Sequence, residues 1–138
     1  MVCLFCDISA GAVDAPKVLE NEVSLAFLDH RPLFAGHTLL IPRLHVETLT
    51  DLPQELVGPL FSNVRLLARA VELACGSDGS FVAMNNRVSQ SVPHLHIHIV
   101  PRRKKDGLKG FFWPRQKYGE GEMEETALRI RQALANMK

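Results

Sequence analysis

His94, His96 and His98 stand at i, i+2 and i+4 in the stretch Pro93-His94-Leu95-His96-Ile97-His98-Ile99-Val100-Pro101. They are three of the chain's six histidines. A row of imidazoles titrating near neutrality can attack as a nucleophile and pass protons at pH 7. Phosphorus is the natural target where amide and basic groups surround the row. A central imidazole would displace a leaving group from phosphate and carry it covalently, and a neighbouring imidazole would assist departure. Zinc is the competing use of imidazole. Three histidines on one flat strand start about 6–7 Å apart and do not converge tetrahedrally on one ion. A lone buried histidine is ordinary core; three in strict alternation are not.

The residues between the histidines dictate the element that carries them. Leu95, Ile97, Ile99 and Val100 are apolar and mostly branched, so the stretch reads as a strand. Alternate side chains of a strand share a face. Leu95, Ile97 and Ile99 therefore face a core, and the histidines face the other way. Asn86 to Ser91 is a polar loop feeding this strand, with Ser80 to Asn85 as the strand before it. Val18 to Asp29 reads as a hairpin turning at Asn21-Glu22, and Gly36 to Pro42 as a strand ended by proline. Asp51 is the expected N-cap of a long helix, with Gln54 completing a capping box. Val57, Leu60, Val64, Leu67, Val71 and Ala74 mark its apolar face, Gly58-Pro59 should kink it or delay its start, and Gly76 ends it. Met123 to Met137 is a closing helix with acidic residues at its start. Strands in hairpin runs predict an α+β fold: a five-stranded antiparallel sheet, one long central helix and a C-terminal helix. Arg102-Arg103-Lys104-Lys105 leaves the histidine strand, which raises the expectation that it meets an anionic substrate. Phe111-Phe112-Trp113-Pro114 is an aromatic loop whose role is left open between covering the core, lining a pocket and meeting a second subunit.

Composition bounds the class. At 138 residues, 46% hydrophobic and 22% charged, the chain is expected to form one domain, residues 1–138. A net charge of +1 does not argue for nucleic acid or membrane as a partner. No apolar run reaches the length of a membrane span. Met1 to Asp7 lacks a basic region, so no signal peptide is read. Three cysteines, an odd count, suit a reducing compartment, and the expected location is cytoplasmic. Cys3-Leu4-Phe5-Cys6 supplies two of the four ligands a closed zinc site needs.

The sequence resembles the histidine triad (HIT) family, whose signature is His-φ-His-φ-His-φ-φ, φ being apolar. Beside that stretch, Cys3-xx-Cys6-Asp7-Ile8, Ala26-Phe27-Leu28-Asp29, Gly36-His37-Thr38-Leu39-Leu40-Ile41-Pro42, His45-Val46, Asn85-Asn86 and Gln90-Ser91-Val92 stand in family order. The resemblance covers residues 3–103, with 104–138 a less diagnostic tail and helix. It implies a nucleotidyl hydrolase or transferase acting at an α-phosphate. By resemblance His96 is the nucleophile, its other ring nitrogen held by a backbone carbonyl. His98 contacts phosphate and leaving group, and His94 supports the row. Asn85, Gln90 and Ser91 match positions that meet phosphate or the leaving side, and Asp29 the residue that accepts from ribose hydroxyls. Phe5, Ile8, Leu28 and His30 would flank a base, purine rather than pyrimidine. His30 departs from the aliphatic residue usual there, and the loop from Asn86 to Gln90 is shorter than usual. The transferase branch replaces the third histidine by glutamine, so His98 favours water as acceptor. The resemblance also implies structural zinc on Cys3, Cys6, His45 and His94, and a homodimer joined sheet edge to sheet edge. The leading expectation is hydrolysis of a nucleoside phosphoramidate or related adduct. The alternatives are a dinucleoside polyphosphate hydrolase or phosphorylase, and a nucleotide-binding module with little turnover.

Overall fold

The computed structural model describes residues 2–109 and 114–137. Phe111, Phe112 and Trp113 of the aromatic loop lie outside the described residues. The chain divides into two compact units, residues 1–106 and 107–138. Among its described residues the second contains one helix, α3 (Glu122–Asn136), whose first turn carries Glu122, Glu124 and Glu125.

The first unit runs α1 (Leu4–Ser9), β1 (Lys17–Glu20), β2 (Ser24–Leu28), β3 (Thr38–Pro42), α2 (Gln54–Cys75), β4 (Gly79–Ala83) and β5 (Ile97–Arg102). The five strands form one antiparallel sheet in the order β1-β2-β3-β5-β4. The α+β architecture is the expected one. Period-two alternation splits each central strand between two cores. Ala26, Leu40, Leu95, Ile97 and Ile99 pack under Leu60, Val64, Leu67 and Val71 of α2. Leu25, Phe27, Leu39 and Ile41 face the other way, against Cys3, Phe5 and Ile8 of the α1 segment. The sheet is therefore covered on both faces, with the histidines on the α1 side. No helix of the described residues is long and apolar enough to cross a membrane.

Three local expectations change. Asp51 does not cap α2. A short 3-10 turn, Leu49–Asp51, comes first, and the Asp51 carboxylate accepts from the backbone N–H and hydroxyl of Thr48. Leu52 precedes Pro53, which holds it extended, so the helix begins only at Gln54. Pro59 does not delay α2, which runs through it as 22 continuous residues and ends on Gly76 in the left-handed conformation. Regular pairing in β5 begins at Ile97, so His94 and His96 sit in an unpaired lead-in that bends at His94, tied to the body by Leu95 N–H donating to the Val46 carbonyl at 2.8 Å.

Candidate active site and metal cluster

Main-chain groups set the orientation of each histidine. The His96 Nδ1 lies 2.8 Å from the His94 carbonyl oxygen, which can only accept. Nδ1 therefore carries the proton, and the neutral ring presents a bare Nε2 lone pair. His98 is governed from β3, whose Leu39 pairs with it. The Leu33 backbone N–H donates to His37 Nδ1 at 3.0 Å, so neutral His37 holds its proton on Nε2. That Nε2–H donates to His98 Nδ1 at 3.0 Å. His98 is left as the Nε2–H tautomer, the opposite of His96. Burial, followed by the imidazoles of His96 and His37, pushes the His98 pKa down to about 4. Burial likewise lowers His37, against the pull of Asp29. Both rings are neutral at pH 7. The rings of His96 and His98 are 5.1 Å apart, tilted toward each other, closer than neighbouring positions on a flat strand would place them.

These two histidines open into a cleft of about 270 Å³. Its walls are Phe5, Ile8, Val13, Phe27, Leu28 and Leu39, with Asp29, His30 and Ser91 at polar positions. The Phe5 ring meets His96 edge-on at 5.1 Å and Phe27 at 5.3 Å. Asp29 accepts from the Arg31 backbone N–H through Oδ1 and holds Oδ2 3.7 Å from His37 Nε2. His30 sits at the rim, largely in solvent.

His94 turns away from the cleft. Its Nε2–H donates to the Pro42 carbonyl at 2.9 Å, which leaves the Nδ1 lone pair facing Cys3, Cys6 and His45. The His94 Nδ1 is 3.4 Å from Cys3 Sγ, 3.6 Å from Cys6 Sγ and 3.2 Å from His45 Nδ1. Cys6 Sγ and His45 Nδ1 are 3.2 Å apart. Zinc bonds of about 2.3 Å to sulfur and 2.0–2.1 Å to nitrogen make tetrahedral edges of about 3.6 Å between S and N and about 3.3 Å between two nitrogens. The four side chains fit that shape. Burial, then the hydrogen bond its S–H donates to Cys3, pushes the Cys6 thiol up to about 11.

Of the sequence-expected residues, Phe5, Ile8, Leu28, Asp29, His30, Ser91, His96 and His98 come together at the cleft, and Cys3, Cys6, His45 and His94 at the cluster. Asn85 and Gln90 do not line the cleft. Arg87 and Ser89 adopt left-handed backbone in a tight loop, and the neighbouring amides close its polar groups. Gln90 accepts from the Arg87 N–H at 2.8 Å and donates to the Glu47 carbonyl at 2.7 Å, while Asn85 donates to the Ser89 carbonyl at 3.2 Å. The basic run also falls elsewhere. Arg102 is four residues beyond His98, about 13 Å along the strand. It binds the Asp106 carboxylate through two nitrogens at 2.7 and 3.0 Å, and Arg103 donates to the Cys75 carbonyl at the end of α2. His37 was not expected at the site. In sequence it is one strand residue after a glycine, and only the register of β3 on β5 brings it to His98.

Known proteins resemble this chain in sequence and in fold. The HIT domain family matches residues 10–105. Adenylylsulfatase HINT3 of Arabidopsis thaliana is 40% identical over 108 residues, 77% of this chain, although the chain spans only 55% of that relative's length. Adenosine 5'-monophosphoramidase HNT1 of Saccharomyces cerevisiae is 36% identical, covering 83% of this chain and 72% of the relative. A crystal structure described as a Zn-bound histidine triad family protein from Mycobacterium smegmatis superposes with a TM-score of 0.73 at 35% identity, over 96% of this chain and 98% of the other. With two opposed imidazoles in one cleft and the family match spanning the sheet that holds them, the chain belongs to the histidine triad (HIT) family.

Proposed function

We propose that this chain is a nucleotide hydrolase acting at an α-phosphate, with a nucleoside phosphoramidate or related purine nucleotide adduct as substrate. One observation carries the reading. His96 offers a lone pair and His98 a donor to the same cleft, each fixed by hydrogen bonds behind it. The His96 Nε2 lone pair bonds to phosphorus as the bond to the leaving group breaks. The charge that develops on the His96 ring is shared with the His94 carbonyl through Nδ1–H. The His98 Nε2–H hydrogen-bonds to the departing atom. The amine leaves with a proton taken up in that step; water then attacks phosphorus and gives up a proton, the bond from His96 Nε2 to phosphorus breaks, and the nucleoside monophosphate leaves. Phe5, Ile8 and Leu28 would hold the base, with His30 at its edge, Asp29 the ribose and Ser91 the phosphate side. Asn85 and Gln90 would act indirectly, by shaping the loop.

The rival dinucleoside polyphosphate substrate is less well supported. No lysine or arginine lines the cleft among the described residues, and about 270 Å³ suits one nucleotide unit. Cys3, Cys6, His45 and His94 would hold zinc, which supplies a structural crosslink there and no step of the reaction. A homodimer is consistent with β4 as one of the two edge strands, where a second sheet could add. A cytoplasmic location remains part of this proposal.

The test is turnover of adenosine 5'-phosphoramidate against a diadenosine polyphosphate, with mass spectrometry of protein quenched and kept at alkaline pH, where a P–N adduct survives. The expected result is a nucleotidyl adduct on His96 and preference for the phosphoramidate. Neither adduct nor turnover with either substrate would overturn the reading.

A further inference from the structure

Helix α1 belongs to both centres at once. Cys3 is its N-cap, with Sγ accepting from the Cys6 N–H at 3.4 Å, and Cys3 and Cys6 are two of the four cluster residues. Leu4, Phe5 and Ile8 of the same turn and a half line the cleft. A helix of six residues cannot hold itself together in water, since nucleation is costly and few bonds repay it. Its attachments to the sheet are the packing of Phe5 and Ile8, the Arg43 guanidinium on the Ser9 carbonyl and hydroxyl, and the cluster. A second link runs through His94. Its side chain joins the cluster, and its own carbonyl holds the proton of His96 Nδ1.

We infer that metal loading of Cys3, Cys6, His45 and His94 positions α1 as a wall of the nucleotide cleft, so that metal and nucleotide strengthen each other's binding. The inference rests on the nucleotide reading above for its probe and on the four-ligand fit for its metal. Without the crosslink, α1 frays, Phe5 leaves the edge of His96, and the cleft loses one side. With it, the wall is preformed, and a nucleotide no longer spends binding free energy ordering it. Cys3, Cys6 and His45 are then positioning residues for the reaction, acting through Phe5.

The full-length protein, stripped by chelation and then titrated with zinc, tests this in two ways. Hydrogen exchange followed by mass spectrometry should show α1 protected on loading, with β2, β3 and β5 protected in both states. Calorimetry with AMP should show affinity rising about 10-fold on loading, and zinc affinity rising by the same factor with AMP present, because coupling is reciprocal. Phe5→Ala should abolish the coupling while zinc still binds. Cys3→Ser should behave as the stripped protein does. Equal AMP affinity in the two states, α1 exchange unaffected by zinc, or stripped protein whose whole sheet exchanges freely would each overturn the inference. AMP that binds neither state removes the nucleotide reading and the coupling, whereas selective α1 protection would show that the positioning itself stands.

Discussion

Replacing His37 tests whether the proton on His98 is set from the residue just before β3. In His37→Leu, His98 Nδ1 keeps its place but loses the donor 3.0 Å away. Leaving a buried acceptor unpaired costs about 1–3 kcal/mol. If the Nε2–H tautomer is needed at the transition state, that becomes a loss of about 5- to 150-fold in kcat/KM. The loss should fall on kcat, because Phe5, Ile8 and Leu28 are untouched and KM reports mainly their grip. His37 is also one of the groups holding the His98 pKa near 4, after burial and His96. Its removal should move the acid limb of the rate profile to higher pH. The assay is steady-state hydrolysis of adenosine 5'-phosphoramidate across pH, with thermal melting as a control for folding. His37→Gln, whose amide can still donate, should recover part of the rate. A His37→Leu enzyme within twofold of the parent, with an unmoved acid limb, would refute the reasoning.

Further outcomes are expected. His96→Ala should lower the rate on the order of 10⁴-fold or more and abolish the trapped adduct, measured by single-turnover kinetics and mass spectrometry. His45→Ala should bind less zinc by elemental analysis and melt at lower temperature, since a four-residue ligand set loses one member. Gly36→Ala should destabilise by about 1–3 kcal/mol in urea, because Gly36 has a φ of +102° and an added Cβ would collide with Cys75 Sγ; Cys75→Ala in the same chain should recover part of the loss. Below its ordinary pKa of 6.5 the unfolded chain protonates His98 while the folded one resists until about 4. Stability of the chelated protein should therefore fall as pH drops through that window. His98→Asn should shallow the slope, by melting temperature against pH.

The alternation of histidines with Leu95, Ile97 and Ile99 was enough to read which side chains share a face. It could not show where ladder pairing starts, because the pattern is the same in an unpaired lead-in as in a paired strand. Thus His94 and His96 were placed on a face correctly but in the wrong kind of segment. The cluster residues were legible through family resemblance, and spacing alone offered only the two cysteines. The loop side chains of Gln90 and Asn85 were not legible, because a polar side chain in a tight loop can point to substrate or back to its own backbone. The left-handed conformations of Arg87 and Ser89 decide that, and neither residue type announces them. Arg102 to Lys105 was assigned by nearness in sequence, whereas strand rise carries it to the far end of β5. His37 escaped because nothing local reveals which residues of β3 face those of β5.

The proton inventory of the histidine row is set from main-chain atoms, the carbonyls of Pro42 and His94 and the N–H of Leu33, with the His37 ring the one side chain in between. Point mutation exchanges side chains and leaves those carbonyls, and nearly always that amide, where they were. Adaptation toward a new departing group should therefore find its raw material in the greasy lining and at the rim, while the acid–base wiring stays inherited.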